Sequence, residues 1–261
     1  MDLRRGDGRV LRVGHRGAAA LAPENTLRSL ERALELGVDL VEFDVLDLRD
    51  GALVLAHSDD LHEVSHGAAR GRVRTRTLEE LRRVTPELAT LDEALAFLAA
   101  RAPRVGLQID LKWVGYEQEA VEALRRHGTL ERTVVSSFSA DSLRAVGGFA
   151  PELALGLSYP WDQRGLSRRR AAAPLVRGAA AALRRTLPLR IGAWLERAGA
   201  SAAMLHHSVV SRATVERCHT RGAAVFAWTV DDPRVLRALV AAGVDGVITN
   251  DPRIFAATLS P

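Results

Sequence analysis

Lysine is almost missing from this chain of 261 residues. Of its 36 basic side chains only Lys112 is not arginine. Cysteine is equally scarce. Cys218 stands alone, so no internal disulfide can form, and no CxxC pair is present to hold a metal or exchange electrons. No apolar run is long enough to span a bilayer. The opening Met1-Asp2-Leu3-Arg4-Arg5 lacks the apolar stretch of a secretion signal, which makes a cytoplasmic protein the expectation. There is no Gly-x-Ser-x-Gly elbow to present a nucleophilic serine, and no Walker-type loop to cradle a nucleotide phosphate. Internal repeats and long low-complexity tracts are absent too. The net charge of +4 is small for this length, and the basic residues form no nucleic-acid-binding motif and no aromatic stacking series, so no nucleic-acid partner is expected.

What is present is a long alternation of apolar runs and helix-length segments. Hydrophobic residues make up 47% of the chain, enough for a sizeable core. Strand candidates fall at 9–14, 40–46, 52–57, 105–112, 133–138, 153–159, 202–207, 223–230 and 244–249. Most are separated by a helical pattern, which argues for parallel strands joined by crossover helices. So many such units in one chain predict a single (β/α)8 barrel of TIM type over residues 1–261. The link between Leu46 and Ala52 is too short for a parallel crossover. It reads as a β-hairpin with a two-residue turn at Asp50-Gly51. That turn would pair Arg49 with Ala52 and Asp44 with His57, placing Glu42, Asp44 and His57 on one face. Thr26 is a candidate helix cap, Gly222 and Gly243 are candidate stops, and Asp232-Pro233 and Asp251-Pro252 are candidate starts.

The residues able to do chemistry crowd into the first half. His15-Arg16-Gly17 closes an apolar run. Pro23-Glu24-Asn25-Thr26, the pair Glu42 and Asp44, Asp50-Gly51 and His57 follow, and Asp110-Leu111-Lys112 ends a later run. Two histidines, an arginine and several carboxylates are what is needed to hold a phosphate, bind a divalent cation and move protons. Glu42 and Asp44 sit within Leu40, Val41, Phe43 and Val45, where a buried carboxylate needs a partner. Lys112 is a compact point charge that a planar guanidinium does not replace.

In that order and spacing these residues resemble the glycerophosphodiester phosphodiesterase family. The pattern His-Arg-Gly, Glu-Asn-Thr, Glu-x-Asp, Asp-Gly and a strand ending in His is joined by Ser136-Ser137-Phe138, Trp228-Thr229-Val230 and Asp245 to Asn250. The similarity runs from about Val10 to Pro252 and is poorest between Pro160 and Ala200. The resemblance implies a barrel enzyme that hydrolyses glycerophosphodiesters to glycerol phosphate and an alcohol. It implies His15 and His57 as general acid and base, in an order left open. Glu42, Asp44 and Asp110 would hold a divalent metal, Mg²⁺ or Ca²⁺ given their hard oxygen donors. Arg16, Lys112 and Trp228 would bind substrate and phosphate, with the substrate's own hydroxyl as nucleophile.

Two departures stand out. Ser58 follows His57 where the family usually has aspartate, so that either Asp59 substitutes or the site is retuned, and aspartate stands at 110 where the family often has glutamate. The segment 160–200 is rich in arginine and alanine, including Arg168-Arg169-Arg170 and Arg184-Arg185. It reads as an extended crossover with a solvated basic face, because Pro174 and Pro188 break its helical pattern. The second reading is a peripheral element that meets anionic lipid. Two functional alternatives remain open here: a lysophospholipase D-type hydrolase at a membrane surface, and a non-catalytic protein that binds a phosphate ligand.

Overall fold

The computed structural model describes residues 1–5, 8–161 and 173–259. Nine strands form one sheet: β1 (Leu11–Gly14), β2 (Leu40–Asp47), β3 (Leu53–Leu55), β4 (Gly106–Leu111), β5 (Thr133–Ser137), β6 (Ala154–Tyr159), β7 (Ala202–His206), β8 (Ala224–Trp228) and β9 (Gly246–Thr249). Their order is β1-β9-β8-β7-β6-β5-β4-β2-β3, with β1 also paired to β2. Eight strands therefore close a parallel barrel, and β3 lies antiparallel on β2. This is the expected (β/α)8 architecture, and every strand candidate is a strand.

Alternation sorts each strand into two faces. On β2, Val41, Phe43 and Val45 join the large core beneath the outer helices, while Leu40, Glu42 and Asp44 point into the barrel. The interior floor is apolar: Val13, Leu40, Val134, Met204, Phe226 and Ile248 fill it. Polar groups appear only above that floor, toward the strands' C-terminal ends, where barrels of this kind carry their chemistry.

The outer helices begin at ordinary signals. α1 (Leu27–Glu35) is capped by Thr26, whose hydroxyl accepts from Ser29 N, worth about 1 kcal/mol. α2 (Leu61–Val64), α3 (Leu78–Arg82) and α4 (Leu91–Arg101) follow β3. α2 and α3 close a small second core with Leu46, Val54, Val73, Leu81 and Leu88 beside the hairpin, while α4 packs into the main core. α5 (Glu117–Arg126), α6 (Ala140–Phe149), α7 (Ala173–Ala198), α8 (Arg212–His219), α9 (Pro233–Ala242) and α10 (Arg253–Leu259) complete the ring.

The hairpin exists, but its register differs from expectation by one residue. Leu48 N donates to Ala52 O at 2.9 Å, so the loop is three residues long, Arg49-Asp50-Gly51. Gly51, at φ +81°, takes the left-handed position that closes a three-residue hairpin. The ladder pairs Val45 with Leu55 and Asp47 with Leu53, and Ala56 rather than His57 stands opposite Asp44. His57 reaches the site because the chain bends just after β3, not because alternation puts it on the face of Asp44.

The second correction concerns Pro188, which lies inside α7 without breaking it. A helix-interior proline removes one backbone hydrogen bond. Here the adjoining turns are held by burial of Leu187, Ile191, Leu195 and Ala198 against the barrel. From Pro174 to Thr186 no side chain of α7 is fully buried. Arg184 and Arg185 lie on that exposed half; Arg168, Arg169 and Arg170 lie outside the described residues. Among the described residues no helix is long and apolar enough to cross a membrane.

Candidate active site

The site lies at the barrel mouth, on β1, β2 and β4 and the bend after β3. His15 follows β1 directly, and its backbone N donates to Thr249 O at 2.8 Å. Its Nδ1 lies 2.6 Å from Asn250 Oδ1. Asn250 is itself fixed: its Nδ2 donates to Asp231 Oδ2 at 2.7 Å and its backbone N to Asp231 Oδ1 at 2.8 Å. A carboxylate can only accept, so Asn250 must turn its carbonyl to His15, and His15 Nδ1 must carry the proton. That leaves Nε2 as a bare acceptor, 4.0 Å from Glu42 Oε2. Burial first, then the neighbouring Arg16 cation, pushes the His15 pKa down to about 3. The imidazole is neutral near pH 7.

The turn after His15 is conformationally demanding. Arg16 and Asn25 both have positive φ, +50° and +58°. Gly17, at φ +82°, has no room for a side chain: a Cβ there would come within 2.4 Å of the Ser29 backbone. Ser29 Oγ donates to Arg16 O at 2.6 Å, and Arg16 N donates to Glu42 Oε2 at 2.8 Å. The Arg16 guanidinium donates through Nη1 to Glu24 Oε2 at 2.8 Å and sets Nε 3.0 Å from Asp44 Oδ2. Asn25 binds Asp44 twice, accepting from its backbone N at 3.0 Å and donating Nδ2 to Oδ2 at 2.9 Å. Glu24 and Asn25 thus order the loop and its neighbours.

Parallel pairing sets Asp44 beside Asp110, and Asp110 beside Ser136. Lys112 Nζ lies between the two carboxylates, 2.6 Å from Asp44 Oδ1 and 2.6 Å from Asp110 Oδ2. Ser136 Oγ donates to Asp110 Oδ1 at 2.6 Å. Tyr116 Oη accepts from Lys112 N and Trp113 N and donates to Val45 O at 2.6 Å, which pins the start of the loop after β4. Burial would raise the Asp44 pKa, but Lys112 and Arg16 overcome it and hold this carboxyl well below its usual range. Burial likewise works against the Lys112 ammonium, and Asp110 and Asp44 outweigh it, so its pKa is raised.

Glu42 is the exception. Burial and the charge of Asp44 push its pKa well above the ordinary carboxylate value. The charge balance gives the reason. Four carboxylates (Glu24, Glu42, Asp44 and Asp110) face two permanent cations, Arg16 and Lys112. No three of the described histidine, cysteine, aspartate and glutamate side chains converge on one point as they stand. The ammonium occupies the place between Asp44 and Asp110. The donors are nonetheless hard oxygens with two negative charges in excess, and that chemistry suits a divalent cation.

His57 lies within electrostatic reach of Asp44, Arg16 and Lys112. Burial, against the opposing pull of Asp44, pushes its pKa down to about 4. Asp59 does not take the place of the family aspartate. Its Oδ1 accepts from Arg74 N at 2.8 Å, and Ser58 Oγ accepts from Asp60 N at 2.9 Å. Both side chains are used in folding the segment after β3. A cleft of about 250 Å³ opens beside His57, lined by Glu24, Asn25, Ala56 and Glu63 among others.

Trp228 follows Ala224 and Phe226 on the inward face of β8 and stands one layer above the apolar floor. Its Nε1 donates to Met204 O at 2.9 Å, and its ring meets Phe138 edge-on at 5.9 Å and His206 at 5.1 Å. It is half-buried and forms part of the mouth two strands round from β1. The structure brings His15, Arg16, Glu42, Asp44, His57, Asp110 and Lys112 into one cluster. Sequence spacing did not reveal the supporting roles of Asn250, Asp231, Ser136 and Tyr116. Asn250 and His15 are 235 positions apart, and only closure of β9 onto β1 joins them.

The family profile for the glycerophosphoryl diester phosphodiesterase family matches residues 15–254. The chain is 30% identical to a glycerophosphodiester phosphodiesterase of Caldanaerobacter subterraneus subsp. tengcongensis, over 94% of this chain and 95% of that protein. It superposes with a TM-score of 0.77 on a putative glycerophosphoryl diester phosphodiesterase from Silicibacter pomeroyi, at 25% identity over 98% of this chain and 96% of the other. A phosphodiesterase from Oleispira antarctica, solved with the product sn-glycerol-3-phosphate, matches in fold with a TM-score of 0.73 at 24% identity, over 95% of this chain and 96% of that one.

Proposed function

The chain belongs to the glycerophosphoryl diester phosphodiesterase family, and from that premise we propose that this site hydrolyses glycerophosphodiesters to glycerol phosphate and an alcohol with the help of a divalent cation. The observation that carries the reading is His15 with Nε2 unprotonated, set by Asn250 beside a carboxylate cluster that is two positive charges short.

Glu42, Asp44 and Asp110 would hold the cation, Mg²⁺ or Ca²⁺, and when bound it would supply positive charge to the phosphate oxygens. Everything else is done by the chain's own groups. Arg16 and Lys112 add fixed positive charge where the anionic diester must sit. Arg16 keeps its guanidinium aimed by Glu24 and Asp44, so little order is lost when substrate arrives. His15 Nε2 accepts the proton from the attacking substrate hydroxyl. His57 gives a proton to the departing alcohol oxygen, and water then opens the cyclic phosphate that remains to give glycerol phosphate. The low pKa of His15 keeps its ring neutral and ready to accept. His57 gives its proton as the imidazolium, the form that its burial opposes and that Asp44 and an anionic substrate favour. Trp228 walls the mouth where the alcohol leaves.

The test is release of glycerol phosphate from glycerophosphocholine and glycerophosphoethanolamine, with Mg²⁺, Ca²⁺ or EDTA, by wild type and His15→Ala. Turnover that needs the cation and disappears with His15 supports the reading. A folded wild type that turns over neither substrate under any cation overturns it.

A further inference from the structure

Few large apolar side chains are exposed among the described residues, and four of the eight lie on one arc of the catalytic rim. Trp113, 44% exposed, and Val114, 56%, follow β4 directly. Trp161, 56%, follows β6, and Leu175, 69%, is in the first turn of α7. Strands β4, β5 and β6 are neighbours, so these positions adjoin around the mouth. All four stand at the same end of the barrel as His15 and His57.

The same arc is basic. α7 is 26 residues long, about 39 Å at 1.5 Å per residue, whereas the strand before it has six. Its buried stripe starts only at Leu187, so the half from Pro174 to Thr186 overhangs the rim. Val176, Ala180 and Leu183 continue that stripe outward at helical spacing, half-buried. Arg177 and Arg184 flank it and Arg185 lies behind. From Ala173 to Leu195 the chain has no Asp or Glu, and among the described residues none of these three arginines is paired with a carboxylate. Among the described acids, Asp47 is engaged with Arg74, Asp141 with Arg144, and buried Glu117 with Gly115 N. Arg74 also lies over Trp113, its guanidinium carbon 5.1 Å from the ring centroid.

We propose that this arc docks the catalytic mouth onto a bilayer containing anionic phospholipid. Separate apolar tips on a rim suit a plane better than a grooved partner. Tryptophan prefers the membrane–water interface, and the unpaired arginines complement anionic head groups. Each basic residue near such a surface is worth roughly fivefold in partitioning. The docking deepens the proposed function by seating the site where glycerol-based lipids lie. It rests on that reading only for what the docked site acts on.

The experiment is co-sedimentation of the full chain, without substrate, with vesicles of phosphatidylglycerol and phosphatidylcholine or of phosphatidylcholine alone, at about 0.1 M salt where the Debye length is about 10 Å. Wild type is compared with Arg177→Glu/Arg184→Glu/Arg185→Glu, with Arg104→Glu/Arg217→Glu/Arg237→Glu carrying the same charge change elsewhere, and with Trp113→Ala/Trp161→Ala. The expected result is binding to the anionic vesicles that falls more than tenfold in the α7 triple and the tryptophan double, and less than threefold in the control triple. No binding by wild type overturns the proposal. So does an equal fall in both triples, which would reduce binding to overall charge, or a tryptophan double that binds like wild type. Tighter capture by RNA or by an acidic protein than by the vesicles assigns the arc to that partner and also overturns it. Hydrolysis of soluble glycerophosphocholine, measured alongside, separates failure of docking from failure of the catalytic reading.

Discussion

His15 and Asn250 are joined by a 2.6 Å contact between Nδ1 and Oδ1, and Asp231 on the far side of Asn250 fixes which atom of each ring or amide takes part. Three residues from the first, eighth and ninth strand ends thus settle the protonation of one imidazole. Asn250→Leu removes the acceptor and frees the ring to flip. A positioned base supplies about 10²–10⁴ in rate, so kcat should fall at least tenfold with little change in KM. Asp231→Asn should lower kcat less, and the ¹⁵N shifts of His15 should show a mixture of tautomers.

Lys112 holds two buried carboxylates apart, so Lys112→Met should cost about 3–5 kcal/mol of stability. Added Mg²⁺ or Ca²⁺ should raise Tm in wild type, and by more in the variant, because the cation would then take over the ammonium's role as well. At a hundredfold over Kd the linkage is about 2.7 kcal/mol. Thermal melts with cation and with EDTA read both effects. A variant indifferent to divalent cations would argue against the proposed cation site.

Gly17→Ala meets both a left-handed backbone and the Ser29 backbone at 2.4 Å. Backbone strain of this kind costs of order 1–3 kcal/mol. The clash adds to it, and the variant should melt lower and lose turnover together. Gly8→Ala, also at positive φ but with open space around it, should show the strain alone.

His206 offers a pH-dependent stability away from the carboxylate cluster. Burial, then the adjacent His207, pushes its pKa down to about 4 from the ordinary 6.5. The unfolded chain therefore binds this proton below pH 6.5 while the folded chain does not until about pH 4. Stability from this group is full above 6.5 and is lost as pH falls toward 4. Denaturant melts of wild type and His206→Asn should diverge over that window, with wild type losing ground as the pH drops.

Cys218 is fully buried, and burial pushes its thiol up to about 12. A thiol reagent at pH 8 should leave it untouched in the folded protein and label it within minutes in urea.

Much of the fold was legible because each strand is a short apolar run bounded by turn residues. The acid pair on β2 was legible because Glu42 and Asp44 interrupt such a run. The hairpin register was not, since it turns on whether Arg49 lies in the turn or on the strand, a difference of one residue that composition does not encode. Pro188 misled for a related reason: the burial of Leu187 and Ile191 that holds α7 together comes from the barrel, not from the helix itself. Asp59 carries the right charge at nearly the right place, yet Arg74 N claims it. In each case a tertiary contact overrode a local signal.

The closure of β9 onto β1 also sets a clock. The ribosome makes His15 early and Asn250 235 residues later. At about 5–20 residues per second, His15 waits on the order of ten to fifty seconds for the amide that fixes its proton. From Lys112 onward the nascent chain carries the clustered charges of the barrel mouth without the amide that sets His15 Nδ1, so the arrangement proposed for diester cleavage is complete only once the last barrel strand has emerged.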